Sequence, residues 1–191
     1  MLQATLNTLT QFSLEIIIVG CLFFFLEKLK PADKSQPFIK QDSKQELALA
    51  FLNVLVSIPL FSALVFYIHQ HTLSYVLPYQ AFNEPIHALP LGIQMFLGAF
   101  ILDFSTYWRH RFTHHYMWRY HSIHHSAEQI NWLTSMRLHP LDIAIAVTFD
   151  LTILHILGFN GSGMLASLLL VRTFNYFTHM NLSSPQYMVQ N

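Results

Sequence analysis

The 191-residue chain has one cysteine, Cys21, and it is poor in charge. A single cysteine excludes a disulfide framework within the chain and any zinc or iron–sulfur site built from cysteines. Only 10% of the residues are charged, against about 25% in soluble domains, and 53% are hydrophobic, which excludes a disordered chain. Because the formal net charge is zero, the sequence lacks the basic surface on which nucleic-acid binding depends, and we expect no nucleic-acid partner.

The few charges are grouped, and long uncharged segments separate the groups. All five lysines lie between Lys28 and Lys44, and four of the five arginines lie between Arg109 and Arg137. This pattern is typical of membrane proteins with several spans, because a charge inside the hydrocarbon layer is costly. We predict hydrophobic helices at residues 12–26, 47–68, 86–108, 141–159 and 161–178. The last two form a hairpin or a re-entrant pair around a glycine-rich turn that begins at Gly158. The alternative for this pair is two buried helices of a soluble core.

The distribution of positive charge also predicts a topology. The lysine-rich loop at residues 27–46 should lie on the cytoplasmic side. Two crossings later, the arginine-rich segment at residues 109–137 returns to that side. We therefore predict an all-α, multi-pass integral membrane protein with about four to five hydrophobic helices and its histidines on the cytoplasmic side. Residues 1–191 form a single membrane domain, with anchor helices at 1–102 and the histidine-bearing region at 103–185.

Histidine is the residue in excess, and seven of the twelve histidines lie between residues 109 and 139. His110 and His114 are spaced i, i+4, while His121, His124 and His125 are spaced i, i+3, i+4. Each set therefore shares one face of a helix. Two such faces that converge would form a cage of imidazole nitrogens. Neutral imidazole binds iron, copper, zinc and nickel, so the spacing predicts a metal site.

No glycine or proline interrupts residues 99–139, so we expect the helix predicted at residues 86–108 to continue beyond the membrane through the histidines. One face of this helix would carry Asp103, Tyr107, His110, His114, His121 and His125.

The sequence also excludes two other kinds of site. The absence of a His-Glu-x-x-His motif excludes the general base of a zincin metalloprotease. The segment Gly161-x-Gly163-x-x-Ala166 imitates a dinucleotide loop, but no acidic residue follows Asp150 to bind a ribose.

Four motifs occur in order downstream of the hydrophobic spans: His110-x3-His114, His121-x2-His124-His125, Arg137-x-His139-Pro140 and His179-x-Asn181. Together they resemble the fatty acid hydroxylase/sterol desaturase superfamily, over roughly residues 103–185. The resemblance implies an integral-membrane oxidoreductase that holds two iron ions. Such an enzyme uses O2 to hydroxylate or desaturate a C–H bond of a sterol, a fatty acyl chain or a related lipid.

The resemblance also implies roles for single residues. Metal-ligand positions fall on His110, His114, His121, His124, His125 and His179, and His139 occupies a further motif position. Asp103, Tyr107 and Asn181 would orient these ligands from behind. Zinc can replace iron in the isolated protein. Electrons would come from an external donor, cytochrome b5-like or ferredoxin-like, because the sequence carries no haem, flavin or nicotinamide motif.

One family motif is unmatched. The family carries a third box, HxxHH, but no histidine follows His179 here, and Asn175 stands where some relatives have one more. We therefore expect three or four ligands to be absent, so that region 103–185 is truncated relative to the family. The chain is then a fragment, a chain that needs a partner, or a catalytically incomplete metal-binding remnant.

Two alternatives do not use this resemblance. A histidine-rich membrane metal-binding or transport protein would use the cluster without oxidation chemistry. A bis-histidine haem protein would draw its ligands from His69, His87 and His155, but it would leave the dense cluster unexplained. His115 lies off the face that His110 and His114 share, so we predict that it neighbours the site without joining it.

Overall fold

The computed structural model describes residues 2–37, 39–73 and 85–183, without the side chains of residues 2–13, 15 and 16. Within these ranges all regular structure is helical, which confirms the all-α prediction. The described residues form seven α-helices: α1 (Leu2–Leu29), α2 (Ser43–Leu52), α3 (Ile58–Ile68), α4 (Leu91–Tyr116), α5 (Trp118–His125), α6 (Pro140–Ile156) and α7 (Gly161–Thr178). A 3-10 helix, Trp132–Met136, lies between α5 and α6. The end of the predicted 103–185 region lies outside the described residues.

Helices α2 and α3 form one continuous helix, Ser43–Thr72, because π-helical turns at Asn53–Ser57 and His69–Leu73 extend them. This helix has 30 residues, a mean hydropathy of 2.3 over its most apolar window, and only 33% of that window is buried. It is the one helix among the described residues that is long and apolar enough to cross a membrane. The predicted crossings by the other helices stay predictions.

Helices α4 and α7 pack closely, and small residues permit this approach. A Cβ atom on Gly98 of α4 would clash with the side chain of Ser167 on α7. The turn before α7 is the one that the sequence predicts. Gly158 has a φ of 84°, a conformation that favours glycine, and the Asn160 side chain accepts a hydrogen bond from the backbone N–H of Gly163 at 2.7 Å.

The chain direction changes at Met117, which separates α4 from α5 and has φ −128° and ψ 25°. The predicted continuous helix is therefore wrong beyond Tyr116. The buried Thr113 donates its hydroxyl to the carbonyl of His110 at 2.8 Å, a contact that bends helices. The break matters because a straight helix would place His121 about 16 Å along the axis from His110.

A buried ion pair ties the segment before α2 to the 3-10 helix. The ammonium group of Lys40 lies 2.7 Å from a carboxylate oxygen of Glu46 and 2.7 Å from the hydroxyl of Thr134. Lys40 is 3% exposed and Glu46 is fully buried, so neither charge is paired with water. This network holds the chain that follows the histidine region against the lysine-rich loop.

Candidate metal centre

Four histidines bring their ring nitrogens together where the chain turns at Met117. One ring nitrogen from each of His110, His114, His121 and His125 lies within 4.8 Å of the others, and we call these residues the four-histidine group. The Nε2 atoms of His110 and His114 are 2.9 Å apart, and those of His121 and His125 are 3.2 Å apart. The ring centroids of His110 and His121 are only 4.7 Å apart. The break thus turns two helix faces into one group of donors.

A second pair of rings lies beside this group. The Nε2 atoms of His124 on α5 and His179 at the end of α7 are 3.3 Å apart, and we call them the His124–His179 pair. The centroid of the His124 ring is 5.1 Å from that of His125. His179 Nδ1 lies 2.8 Å from the carbonyl oxygen of Asn175. Since a carbonyl only accepts, Nδ1 carries the proton and the Nε2 lone pair faces His124.

Burial favours the uncharged form of three site histidines. Burial and, to a smaller extent, repulsion from neighbouring histidines together lower the pKa of His110 and of His121 to about 4. The same two causes lower the pKa of His124 to about 3, with His179 as the main repelling neighbour. These imidazoles are therefore neutral at pH 7. Neutral imidazole is the form that binds a metal ion.

A carboxylate that the sequence analysis did not assign to the site supports one of these rings. Asp142, in the first turn of α6, places Oδ1 at 3.3 Å from Nδ1 of His121, and both side chains are 5% exposed. The contact keeps the proton on Nδ1 and aims Nε2 of His121 into the four-histidine group. The available signal was a carboxylate in the first turn of a largely apolar helix, a position where a partner is required.

Two predicted orienting residues lie on the outer side of α4. Asp103 is exposed, and Tyr107 is 57% exposed with its hydroxyl accepting from Arg111 at 3.4 Å. In the described part of the chain no hydrogen bond joins either residue to a site histidine. Their role behind the ligands stays a prediction.

His139 and Asn181 have structural contacts instead. His139 Nδ1 accepts from the backbone N–H of Leu141 at 3.1 Å and so caps α6, and its role as a ligand stays a prediction. The Asn181 side chain accepts from the backbone N–H of Asp33 at 2.8 Å. The backbone N–H of Asn181 donates to Glu27 at 2.9 Å. These contacts tie the segment after His179 to the end of α1.

Arg137 positions the end of α5, a role that its place in the Arg137-x-His139-Pro140 motif did not predict. Its guanidinium donates to the carbonyl of Ile123 at 3.0 Å, to the hydroxyl of Ser126 at 2.9 Å and to the carboxylate of Asp42 at 2.8 Å. Arg137 is 7% exposed. These three bonds hold the end of α5, and therefore His124 and His125, against the segment before α2.

A cavity of about 360 Å³ opens from the histidines toward α3, α6 and α7. Its apolar lining includes Ile58, Ile143, Leu168 and Val171. Its charged lining consists of Arg109, Asp150 and Arg172, in addition to Asp142. The volume and the mixed lining suit a segment of an amphipathic molecule beside the histidine nitrogens.

Comparison with known proteins agrees with the motifs. Residues 95–190 match the sequence model of the family described as Fatty acid hydroxylase. The ornithine lipid hydroxylase OlsE of Rhizobium tropici is 31% identical over 71 residues, which are 36% of this chain and 22% of that protein. The match thus spans about a fifth of the length of that relative. No solved structure matches the chain.

Proposed function

Because the chain belongs to the fatty acid hydroxylase family, we propose that it is a membrane-bound oxidoreductase that hydroxylates a C–H bond of a lipid with O2 and two iron ions. Desaturation of the same bond is the alternative outcome of this chemistry. The four-histidine group is the observation that carries the proposal, because it offers four imidazole nitrogens that lie within 4.8 Å of one another. The similar protein OlsE is an ornithine lipid hydroxylase, which favours hydroxylation over desaturation.

The residues fit a metal ion. In a tetrahedral site with metal–nitrogen bonds of about 2.0–2.1 Å, two ligand nitrogens lie about 3.3 Å apart. The observed Nε2 separations of 2.9 and 3.2 Å in the four-histidine group approach this value. We propose that one iron binds in this group. The second would bind at the His124–His179 pair, where the Nε2 atoms are 3.3 Å apart, together with ligands that the described residues do not supply.

The side chains of this chain have defined tasks in the proposed reaction. Bound iron would supply O2 activation and one-electron chemistry, which no side chain provides. Asp142 holds the tautomer of His121, and the Asn175 carbonyl holds that of His179. The apolar part of the cavity excludes water and holds the lipid segment beside the donors. We propose an external cytochrome b5-like or ferredoxin-like donor as the source of electrons.

We propose that the protein lies in a membrane with several spans and with the site on the cytoplasmic side. Helix Ser43–Thr72 supports this placement by its length and composition. A stripe on α4 also supports it, since Phe96, Phe100, Phe104 and Trp108 follow at four-residue spacing and are all more than half exposed. A lipid could then move from the hydrocarbon layer into the cavity without crossing water.

The test combines metal content and lipid oxidation in the detergent-purified chain, expressed with added iron. The variant His110→Ala removes one donor of the four-histidine group. His115→Ala is its matched control, because His115 is exposed and neighbours the group in sequence without belonging to it. We expect the native chain to retain iron at least in the four-histidine group, and loss of that metal and of lipid oxidation with His110→Ala alone.

Other results would change the proposal in defined ways. About one iron in the native chain, lost in His110→Ala, would refute the second iron and keep the first site. No retained iron would show that this chain alone does not form the site, as expected of a fragment, of a chain that needs a partner or of a catalytically incomplete remnant. Iron bound without any lipid product, in the presence of reductant, would favour a metal-binding or transport role.

A further inference from the structure

Three charged side chains meet inside the cavity, and the proposed metal chemistry does not use them. Arg109 on α4, Asp150 on α6 and Arg172 on α7 line the same space as the site histidines, and we call them the charged triad. The carboxylate of Asp150 is attracted by both guanidinium groups. The second carboxyl of the cavity, Asp142, lies against His121, so within the triad two guanidinium groups share the single carboxyl of Asp150.

The ion pair within the triad is loosely made. Arg109 Nε lies 3.9 Å from Asp150 Oδ1, whereas a good arginine–carboxylate contact is about 2.7–2.9 Å long. Both of these atoms are buried, and neither has a hydrogen-bond partner in the described part of the chain. The Nη2 atom of Arg109 donates to Thr106 at 3.2 Å. A buried donor and acceptor left in this state are costly, which indicates that another group completes the contact.

Two members of the triad, Asp150 and Arg172, are displaced along their helices from the metal-binding nitrogens. On α7, Arg172 and His179 are seven residues apart, so they share a face about 10 Å apart along the axis. On α6, Asp142 and Asp150 are eight residues apart, which is about 12 Å. Apolar residues such as Leu168 and Val171 line the cavity as well. The cavity therefore offers imidazole donors at one position, apolar surface, and Arg172 with Asp150 about two helical turns along α7 and α6. Arg109, next to His110 in sequence, reaches toward Asp150 from the histidine side.

We propose that the charged triad binds the carboxylate or phosphate group of an anionic lipid and so selects the substrate and the C–H bond that is oxidised. The proposal rests on the proposed function, because it takes the lipid segment near the histidines as the reacting part. An arginine fork is well suited to a planar or tetrahedral oxyanion, since it donates two parallel N–H groups. The anion would supply a second negative charge, so that each of the two guanidinium groups has a counter-charge.

The test measures binding without any metal or turnover. The probe is cis-parinaric acid, a fluorescent fatty acid, and its methyl ester is the uncharged match. Binding to the full chain in non-ionic detergent gives a Kd for each probe. We expect the acid to bind about 10- to 100-fold more tightly than the ester. Competition by a lysophosphatidic acid or by oleate then shows whether phosphate or carboxylate is preferred.

Three variants separate recognition from a structural role. Arg172→Gln should weaken binding of the acid about tenfold or more and leave the ester unchanged. Asp150→Asn removes the competing carboxylate, so it should tighten binding of the acid. Arg119→Gln, at an exposed position on α5, is the control and should change neither Kd.

Two results would overturn the inference. Equal affinity of the native chain for acid and ester would show that the triad recognises no anion. Loss of both probes in Arg172→Gln and in Asp150→Asn would show that the triad only holds α4, α6 and α7 together. Failure of the proposed function looks different, because a chain without iron or oxidation products can still prefer the acid over the ester.

Discussion

Replacement of Asp142 by asparagine tests whether the carboxylate behind His121 tunes the metal centre. The change keeps the size of the side chain and removes its charge. Asp142 Oδ1 lies 3.3 Å from His121 Nδ1, and both groups are 5% exposed, so water cannot replace the contact. The asparagine amide can turn its NH2 group toward Nδ1. Nδ1 would then accept, and the proton would move to Nε2, where it blocks the metal.

The magnitude follows from what such partners contribute elsewhere. Loss of a carboxylate behind a histidine ligand costs about 10- to 100-fold in metal affinity. This corresponds to about 1.4–2.7 kcal/mol of binding free energy. The contact here is at the long end for a hydrogen bond, which favours the lower half of the range.

The assay is competition for Zn²⁺, which is redox-inert, between the detergent-purified chain and a chromogenic chelator. Glu128→Gln is the matched control, because Glu128 is an exposed carboxylate shortly after α5, the helix that carries His121. We expect Asp142→Asn to weaken Zn²⁺ binding at least tenfold and Glu128→Gln to leave it unchanged. An affinity within twofold of the native value for Asp142→Asn, with an unchanged melting temperature, would refute the reasoning.

Three further outcomes are expected. Arg137→Lys keeps the charge but loses the guanidinium group whose hydrogen bonds hold the end of α5. It should lower the free energy of unfolding by about 1–3 kcal/mol in denaturant titrations. An unchanged free energy of unfolding would show that Arg137 does not position α5. The pKa values of His110 and His121 are lowered to about 4 in the folded protein, whereas unfolded histidines take up protons below about pH 6.5. The metal-free protein should therefore lose stability as the pH falls from about 6.5 toward 4. An equal melting temperature at pH 7 and pH 5 would contradict this. Gly158→Ala places a side chain at a φ of 84° and should cost about 1–2 kcal/mol, while Gly92→Ala, which meets open space, should not destabilise the fold.

The sequence predicted the helices because their signals are local. Apolar runs, the glycine-rich turn at Gly158 and the i, i+4 spacing of His110 and His114 depend on residues a few positions apart. The joining of α2 and α3 into Ser43–Thr72 also follows from a continuous apolar run. Local signals determine the number of membrane crossings less well, because that number depends on how much of each helix faces lipid.

The parts that could not be predicted depend on contacts between distant segments. The break at Met117 has no glycine or proline to mark it, so a continuous helix was the natural expectation. Asp142 meets His121 from another helix, and Arg137 meets Asp42 across 95 positions of sequence. Periodicity carries no information on such contacts. The outward position of Asp103 and Tyr107 is likewise set by how α4 rotates against its neighbours.

The turn at Met117 has a consequence for the order in which the centre assembles. The four-histidine group comes from a single stretch of 16 residues, His110 to His125, so closing it requires only a short loop. The His124–His179 pair spans 55 positions and requires α7 to be docked. In the proposed two-iron centre, a nascent chain would therefore bind its first ion locally, within a hairpin of two helices, before the bundle is complete. The second position would become available only after the bundle has closed, so its occupancy would report that the whole fold has formed.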